Sequence, residues 1–492
     1  MNLPTPESSC SLSQKPTIGV QRTTSRDEDH PATDMKTSSS TCFIHRVVTV
    51  AYLCGVNITS NASNGLTVIG LPRLKEDLDL HPSLAFWPLS VYGLATASTL
   101  LLAGAIADVA GPRALQGLAA ALHFSTSVAL VTLGQPQGRE RNLSFACLGL
   151  SQLLGFSASL ILGGILVDTI GWRSGWYLCG GMTLLLFALG LWSLPKSIET
   201  ISTQAKWQNI KTRVDWVGGL LSSSSMSLLT YFLAIVSADT DLILSPGSLL
   251  AVSLSLVTAV LFVFWMHFRA KNDQVALIPN EVWKNASFTS ICVTVALSFA
   301  VLNSLDLMTS LYFQNIKHLS ALEAAIRMVP STVVGLALNI LTGLVVNKIR
   351  ANWLVALASL LSAGSPLLMA LIQPEWPYWK CAFPAQILMP FSVDVLFTIS
   401  LIVITDVFPN EKQAVAGAVF NTAGQLGNTM GLAAMQVIST RVTRQVRVNS
   451  AAQAIMEGYR ATFWAMLTLL LICTIVGAAG LRHAGRVGSK HQ

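Results

Sequence analysis

Residues Ala286–Leu305 read ASFTSICVTVALSFAVLNSL, twenty residues without a charged side chain. A helix of about that length spans the roughly 30 Å hydrocarbon core of a bilayer. Lipid offers the backbone no hydrogen-bond partners, so such a run has to satisfy its own N–H and C=O groups as a helix. Comparable stretches lie on both sides of it: Val47–Pro72, Leu84–Ala107, Ala114–Gly138, Ser144–Val167, Ser174–Pro195, Trp216–Ala238 and Leu242–Phe268 before it, and Met328–Asn347, Trp353–Pro374, Cys381–Thr405, Gln413–Thr440 and Ala461–Leu481 after it. The expectation is an all-α polytopic membrane protein of about thirteen spans.

Composition agrees. The 492 residues are 52% hydrophobic and 11% charged, against roughly 25% charged in a soluble domain. A soluble fold of this makeup lacks the polar surface to cover itself. The net charge of +7 sits on basic residues scattered through short loops, which fits the enrichment of Lys and Arg on the cytoplasmic side and not a nucleic-acid patch. Cys54, Cys147, Cys179, Cys292, Cys381 and Cys473 lie in or beside apolar runs with no metal-ligand spacing, so they read as small core residues. Phosphate-binding loops, zinc motifs and nucleophile elbows have no counterpart here, which argues against ATP-driven pumping by this chain and against an enzyme. No cofactor is expected.

The chain divides into a disordered cytoplasmic tail over 1–43, an N-terminal helix bundle over 44–196, a cytoplasmic loop with two linking helices over 197–285, a C-terminal bundle over 286–481, and a second cytoplasmic tail over 482–492. An internal echo supports two halves: Gly104-Ala-Ile-Ala-Asp108 is followed by Arg113, and Gly343-Leu-Val-Val-Asn347 by Lys348 and Arg350. In each, a Gly precedes a polar group by one helical turn at a membrane boundary, where a close helix contact and a bond to a helix end serve a gate.

The run Gly104-Ala-Ile-Ala-Asp108-Val-Ala-Gly111-Pro-Arg113 resembles the first motif of the major facilitator superfamily, and Arg113-Ala-Leu-Gln116-Gly117 resembles the second, which opens its fourth helix. Gly171-Trp172-Arg173, Asp215-Trp216-Val-Gly218, Leu311-Tyr312-Phe313-Gln314, Asp394 and Phe420-Asn421-Thr-Ala-Gly-Gln425 look like the fourteen-helix drug/proton antiporters. The likeness runs from about Arg46 to about Gly485 and is nearest to fungal multidrug and aminotriazole-resistance-like members. It implies two bundles of about six helices plus two linking helices around a site that alternates between faces, a monomer, and proton-coupled export of small amphipathic compounds such as drugs, toxins or secondary metabolites. The implied partners are that solute, H+ and the lipid bilayer, with the plasma membrane as the location and the vacuole or another internal membrane as the alternative. A nutrient uniporter or symporter is the competing reading. Where the family's fifth helix often carries Gly-Pro-x-x-Gly-Gly, this chain reads Ser159-Leu-Ile-Leu-Gly163-Gly164.

Arg113 ends the first motif and begins the second, although a whole helix separates them in the family. Charge gives an independent check. The loop at Asp108–Arg113 and the loop at Arg139–Arg141 both belong inside, yet one span, Ala114–Gly138, lies between them. The third helix is therefore expected to be missing, the alternative being a genuine thirteen-span protein of unusual local topology, and its loss raises a reading of another class: a truncated, non-transporting product.

An ionisable group in hydrocarbon costs about 2.5 kcal/mol or more, which singles out Asp306 and Asp394 as proton-coupling candidates. The alternatives are a boundary position for Asp306 and a satisfied structural group for Asp394. The resemblance adds Arg113 to the coupling group, with Gln116 orienting it and also a candidate for the substrate cavity. Gly104, Asp108, Gly111, Asn347 and Lys348 form the gating motif, with a simple topological charge as the bland reading of Asp108. Asn57, Asn61 and Asn64 share one stripe of the first span, facing either a cavity or another helix. Gln152, Asn303, Asn339, Asn421 and Gln425 add neutral polar groups to apolar helices, as a pocket for varied amphipathic solutes requires. Tyr231, Trp265, Phe313 and Trp379 either stack on a solute or anchor at the interface.

Overall fold

The computed structural model describes residues 33–79, 131, 139–193, 215–238, 240–272, 274, 283–345, 349–408, 410–446 and 450–482. Their helices are α1 (Thr33–Asp77), α2 (Arg139–Thr169), α3 (Trp172–Ser193), α4 (Trp216–Ala238), α5 (Pro246–Lys271), α6 (Ala286–Leu311), α7 (Ala321–Val345), α8 (Ala351–Leu371), α9 (Ala382–Leu388), α10 (Phe391–Val407), α11 (Asn410–Gln445) and α12 (Ala451–Gly480). No strand occurs among the described residues. Seven segments among them are long and apolar enough to cross a membrane. Helices α1, α3, α4 and α11 coincide with four more of the expected spans. The spans expected at Leu84–Ala107 and, apart from Val131, at Ala114–Gly138 lie outside the described residues, as do the motif residues Gly104, Asp108, Gly111, Arg113, Gln116, Asn347 and Lys348. Helix α1 begins at Thr33, within the stretch read as a tail.

One expected span differs in kind. Cys381–Thr405 is two helices, α9 and α10, separated at Met389-Pro390. Proline has no N–H to continue the ladder, and the Met389 carbonyl accepts a hydrogen bond from the Ser362 hydroxyl of α8 at 2.9 Å. A hydroxyl on a neighbouring helix is how a broken segment is tolerated inside a membrane.

Small residues set the helix contacts. Gly155 of α2 lies so close to α1 that a Cβ there would sit 2.4 Å from the Ile58 carbonyl oxygen. Gly431 of α11 meets α6 in the same way, at 2.5 Å from Ala300 Cα. Polar groups tie other ends. Asp77 of α1 accepts from the Trp172 indole N–H at 3.1 Å and pairs with Arg173 at 3.8 Å, joining α1 to α3. In the linking pair α4–α5, Asp215 accepts from the Gly218 N–H and the Trp265 indole, both at 2.9 Å. The Ser225 and Ser255 hydroxyls each donate to the other's carbonyl.

Helix α2 starts beside Arg139 and Arg141, α6 follows Arg269, Lys271 and Lys284, and α7 runs toward Lys348 and Arg350. The positive-inside rule makes those ends inner and the opposite ends outer. The core then falls into an outer and an inner cluster. The outer one joins Val68, Ile69 and Leu71 of α1 and Leu160 of α2 to Leu307, Met308 and Leu311 of α6 and Ala324 and Met328 of α7. The inner one collects Phe288, Val355, Ile399 and Phe420 with Met266 of α5, and its buried members include no residue of α1, α2 or α3. Among the described residues, the apolar seal between the two bundles is at the outer end.

Candidate transport site

Below that seal lies a cavity of about 120 Å³ between the bundles, room for several ordered waters. Its polar lining from the N-terminal side is Asn61 and Asn64 of α1 with Gln152 and Ser157 of α2. The opposite wall carries Asn303 and Asp306 of α6, Ser331, Thr332 and Asn339 of α7, and Asp394 of α10. Phe156, Phe299 and Phe397 supply aromatic surface. Among the described residues, the lining includes two carboxylates and no Lys, Arg or His.

The break at Pro390 positions Asp394. It falls in the first turn of α10, its backbone N–H donating to the Pro390 carbonyl at 3.1 Å, so the positive end of a helix dipole lies at the carboxylate. Gly335 of α7 leaves space for it, since a Cβ there would lie 2.6 Å from Asp394 Oδ2. The Asn339 amide nearby donates to the Gly335 carbonyl at 3.0 Å, and Thr398 donates both to Asn339 Oδ1 at 3.3 Å and to the Asp394 carbonyl at 3.1 Å. Asp306 is buried with 6% exposure and lines the same cavity as Asp394.

The asparagine stripe of α1 splits in function. Asn61 and Asn64 face the cavity, whereas Asn57 lies outside the lining and donates to the Leu148 carbonyl at 2.8 Å and the Ser151 hydroxyl at 2.9 Å on α2. Asn57→Ala is expected to loosen α1 from α2 by about 1 kcal/mol, the scale of membrane interhelical bonds. Thermal denaturation in detergent reads that loss, and solute affinity should stay at its starting value.

Asn421 and Gln425 of α11 are outside the cavity lining as well. Asn421 donates to the Gly417 carbonyl at 2.9 Å, and Gln425 Oε1 is buried without a hydrogen-bond partner. Of the four aromatics singled out in the sequence, Trp265 is held by Asp215, Phe313 is in the outer cluster, and Tyr231 and Trp379 are exposed.

Sequence reasoning passed over the pair Ser157–Thr332, which links α2 to α7 across the cavity at 2.5 Å. Apolar periodicity hides such hydroxyls among core positions. It also passed over the break at Pro390, although the proline itself was the signal. Gln314, in the Leu-Tyr-Phe-Gln motif, occupies a π-helical turn, Tyr312–Ile316, after α6. Its amide reaches the Ile69 carbonyl of α1 at 3.3 Å and the Ser310 hydroxyl at 3.0 Å.

Comparison with known proteins supplies independent information. The model of the family described as Major Facilitator Superfamily matches residues 109–432. MFS-type transporter 1 of Pyricularia oryzae is 34% identical over 517 aligned positions, covering 89% of this chain and 84% of that protein. The puromycin resistance protein pur8 of Streptomyces alboniger is 26% identical over 412 positions, 76% of this chain and 78% of the relative. The multidrug transporter mfsC of Aspergillus fumigatus is 24% identical over 456 positions, 84% of this chain and 82% of the relative. Among solved structures, a POT family transporter in complex with a thioalcohol-conjugated peptide aligns with a TM-score of 0.56 at 14% identity, over 87% of this chain and 95% of that one. That similarity concerns the fold.

Proposed function

We propose that this chain, which belongs to the major facilitator superfamily, is a secondary active exporter that moves small amphipathic solutes across a membrane in exchange for protons. The observation that carries the reading is the pairing of Asp306 and Asp394 in one cavity between the bundles, with amides and three phenylalanines around them and no basic residue among the described lining residues. Two carboxylates in a low-dielectric site are costly to hold ionised together, so the site favours a proton or the positive end of a solute on at least one of them. Amides orient varied polar groups, and the aromatic faces take up apolar ones. The names of the puromycin and multidrug relatives point the same way. An exporter of this kind belongs in the plasma membrane.

The competing reading, a product that lacks one helix, has its own support. The alignment with the Pyricularia oryzae protein has 517 positions, while 89% of 492 residues is about 438, leaving about 79 positions opposite gaps in this chain. The puromycin relative gives 412 positions against about 374 residues, a shortfall of about 38. A membrane helix takes roughly 20 residues before its loops are added, so either shortfall accommodates one.

Purified protein in liposomes with an imposed pH gradient tests both. Gradient-dependent movement of a fluorescent amphipathic amine, abolished by a protonophore, supports the exporter. Movement only after a helix-plus-loop segment from the Pyricularia oryzae relative is inserted at Arg113 supports the truncated product. Gradient-independent equilibration would overturn proton exchange.

A further inference from the structure

The sealed outer end contains a contact that apolar burial does not explain. Asp168, in the last turn of α2, directs its carboxylate across to the other bundle, where Oδ1 accepts from the Ala321 N–H at 3.3 Å and Oδ2 from the Leu322 N–H at 3.0 Å. Those are the first two residues of α7. A helix N-terminus has four N–H groups without intrahelical partners. The chain's own cap satisfies the next one, because the Ser320 hydroxyl accepts from the Glu323 N–H at 3.3 Å while Glu323 accepts from the Ser320 N–H at 3.3 Å, a capping box. The remaining first-turn donors are met by a charge from a different bundle, at the positive end of the α7 dipole.

Backbone proximity makes this reach possible. Gly164 lies one turn before Asp168 on the same face of α2, and a Cβ at Gly164 would fall 2.8 Å from Leu322 Cα and 3.0 Å from Leu322 N. Glycine thus brings the α2 backbone against the start of α7, and the carboxylate four residues on arrives at the exposed N–H groups. Two further bonds join the bundles at the same end without charge: the Ser310 hydroxyl of α6 donates to the Val68 carbonyl at 3.3 Å, and Gln314 donates to Ile69.

We infer that Asp168 is the outer latch of this transporter, a positioning residue that holds the bundles together at the outer face and has to release α7 when the cavity opens to that side. The inference rests on the alternating-access reading but names a part of the cycle which that reading leaves open. Asp168 is itself solvent-exposed, so water replaces the lost bonds on opening. That makes the contact weak enough to break in each cycle and strong enough to bias the resting state.

The test follows conformation without solute or gradient, so it stands even where the transport assay fails. A single reporter cysteine at the cavity residue Asn64 (Asn64→Cys) is placed in the full chain with its native cysteines replaced by alanine, and its reaction with a membrane-impermeant maleimide is timed from the outer side. Asp168→Ala is expected to speed outer labelling about fivefold, the factor that a charge at a helix N-terminus implies, and Asp168→Glu to return it toward the starting rate. Ala321→Pro provides a second route. It deletes one of the two donors at a first-turn position where proline is tolerated, and should raise the rate by a smaller factor. Unchanged rates in folded Asp168→Ala and Ala321→Pro protein, or an increase that Asp168→Glu fails to reverse, would overturn the latch.

Discussion

Asp394→Asn is expected to abolish pH-gradient-driven efflux, with solute binding retained or weakened. Asparagine preserves the shape of the side chain but neither takes up nor releases a proton, so flux should drop at least about a hundredfold, the lower range for loss of a positioned proton-transfer group. The surroundings explain why this carboxylate is expected to matter more than Asp306. It sits at the start of a half-helix, faces a glycine that leaves it room, and is flanked by Asn339 and Thr398. Asp306 lies in the continuous helix α6, so Asp306→Asn should lower the rate without eliminating dependence on the gradient. Proteoliposome efflux across a series of imposed pH gradients separates the two. A full gradient response in Asp394→Asn, with none left in Asp306→Asn, would reverse the assignment.

Gly155→Leu should prevent accumulation of folded protein. Its Cβ would meet the Ile58 carbonyl oxygen at 2.4 Å and Ile58 Cα at 2.7 Å, and both are backbone atoms that cannot rotate away. Overpacking costs about 1–3 kcal/mol even where side chains yield, and here α1 would have to separate from α2 along their shared length. Gly180→Ala provides the contrast, since no described residue lies within 4 Å of a Cβ there. The fraction of detergent-extracted protein that elutes as a single species should fall sharply for the first and stay unchanged for the second. Equal behaviour of the two would mean that α1 and α2 do not touch as described.

The sequence distinguished these features unevenly, for physical reasons. Helices were legible because lipid permits few alternatives to an apolar helix, and each expected span on described residues is helical. Asp306 and Asp394 were legible because charge in hydrocarbon is rare. The partners of polar side chains were not. Asn57, Asn61 and Asn64 recur at one helical spacing, yet the first binds α2 while the other two face the cavity. Periodicity fixes a face of a helix and leaves open which neighbour that face meets. Asp168 escaped notice because an acidic residue just past an apolar run reads as an ordinary boundary charge. Only the fold brings Ser320-Ala-Leu-Glu323 opposite it.

The interruption at Pro390 has a mechanical meaning. Ala382, Ala385 and Met389 belong to the outer apolar cluster, while Val395, Leu396 and Ile399 belong to the inner one. The two pieces of this segment are therefore bolted to separate masses, with an elbow between them and a carboxylate just beneath it. A rigid rod would transmit any tilt of its outer end to its inner end. An elbow lets one end stay seated while the other swings, and Asp394 lies in the first turn beyond that joint.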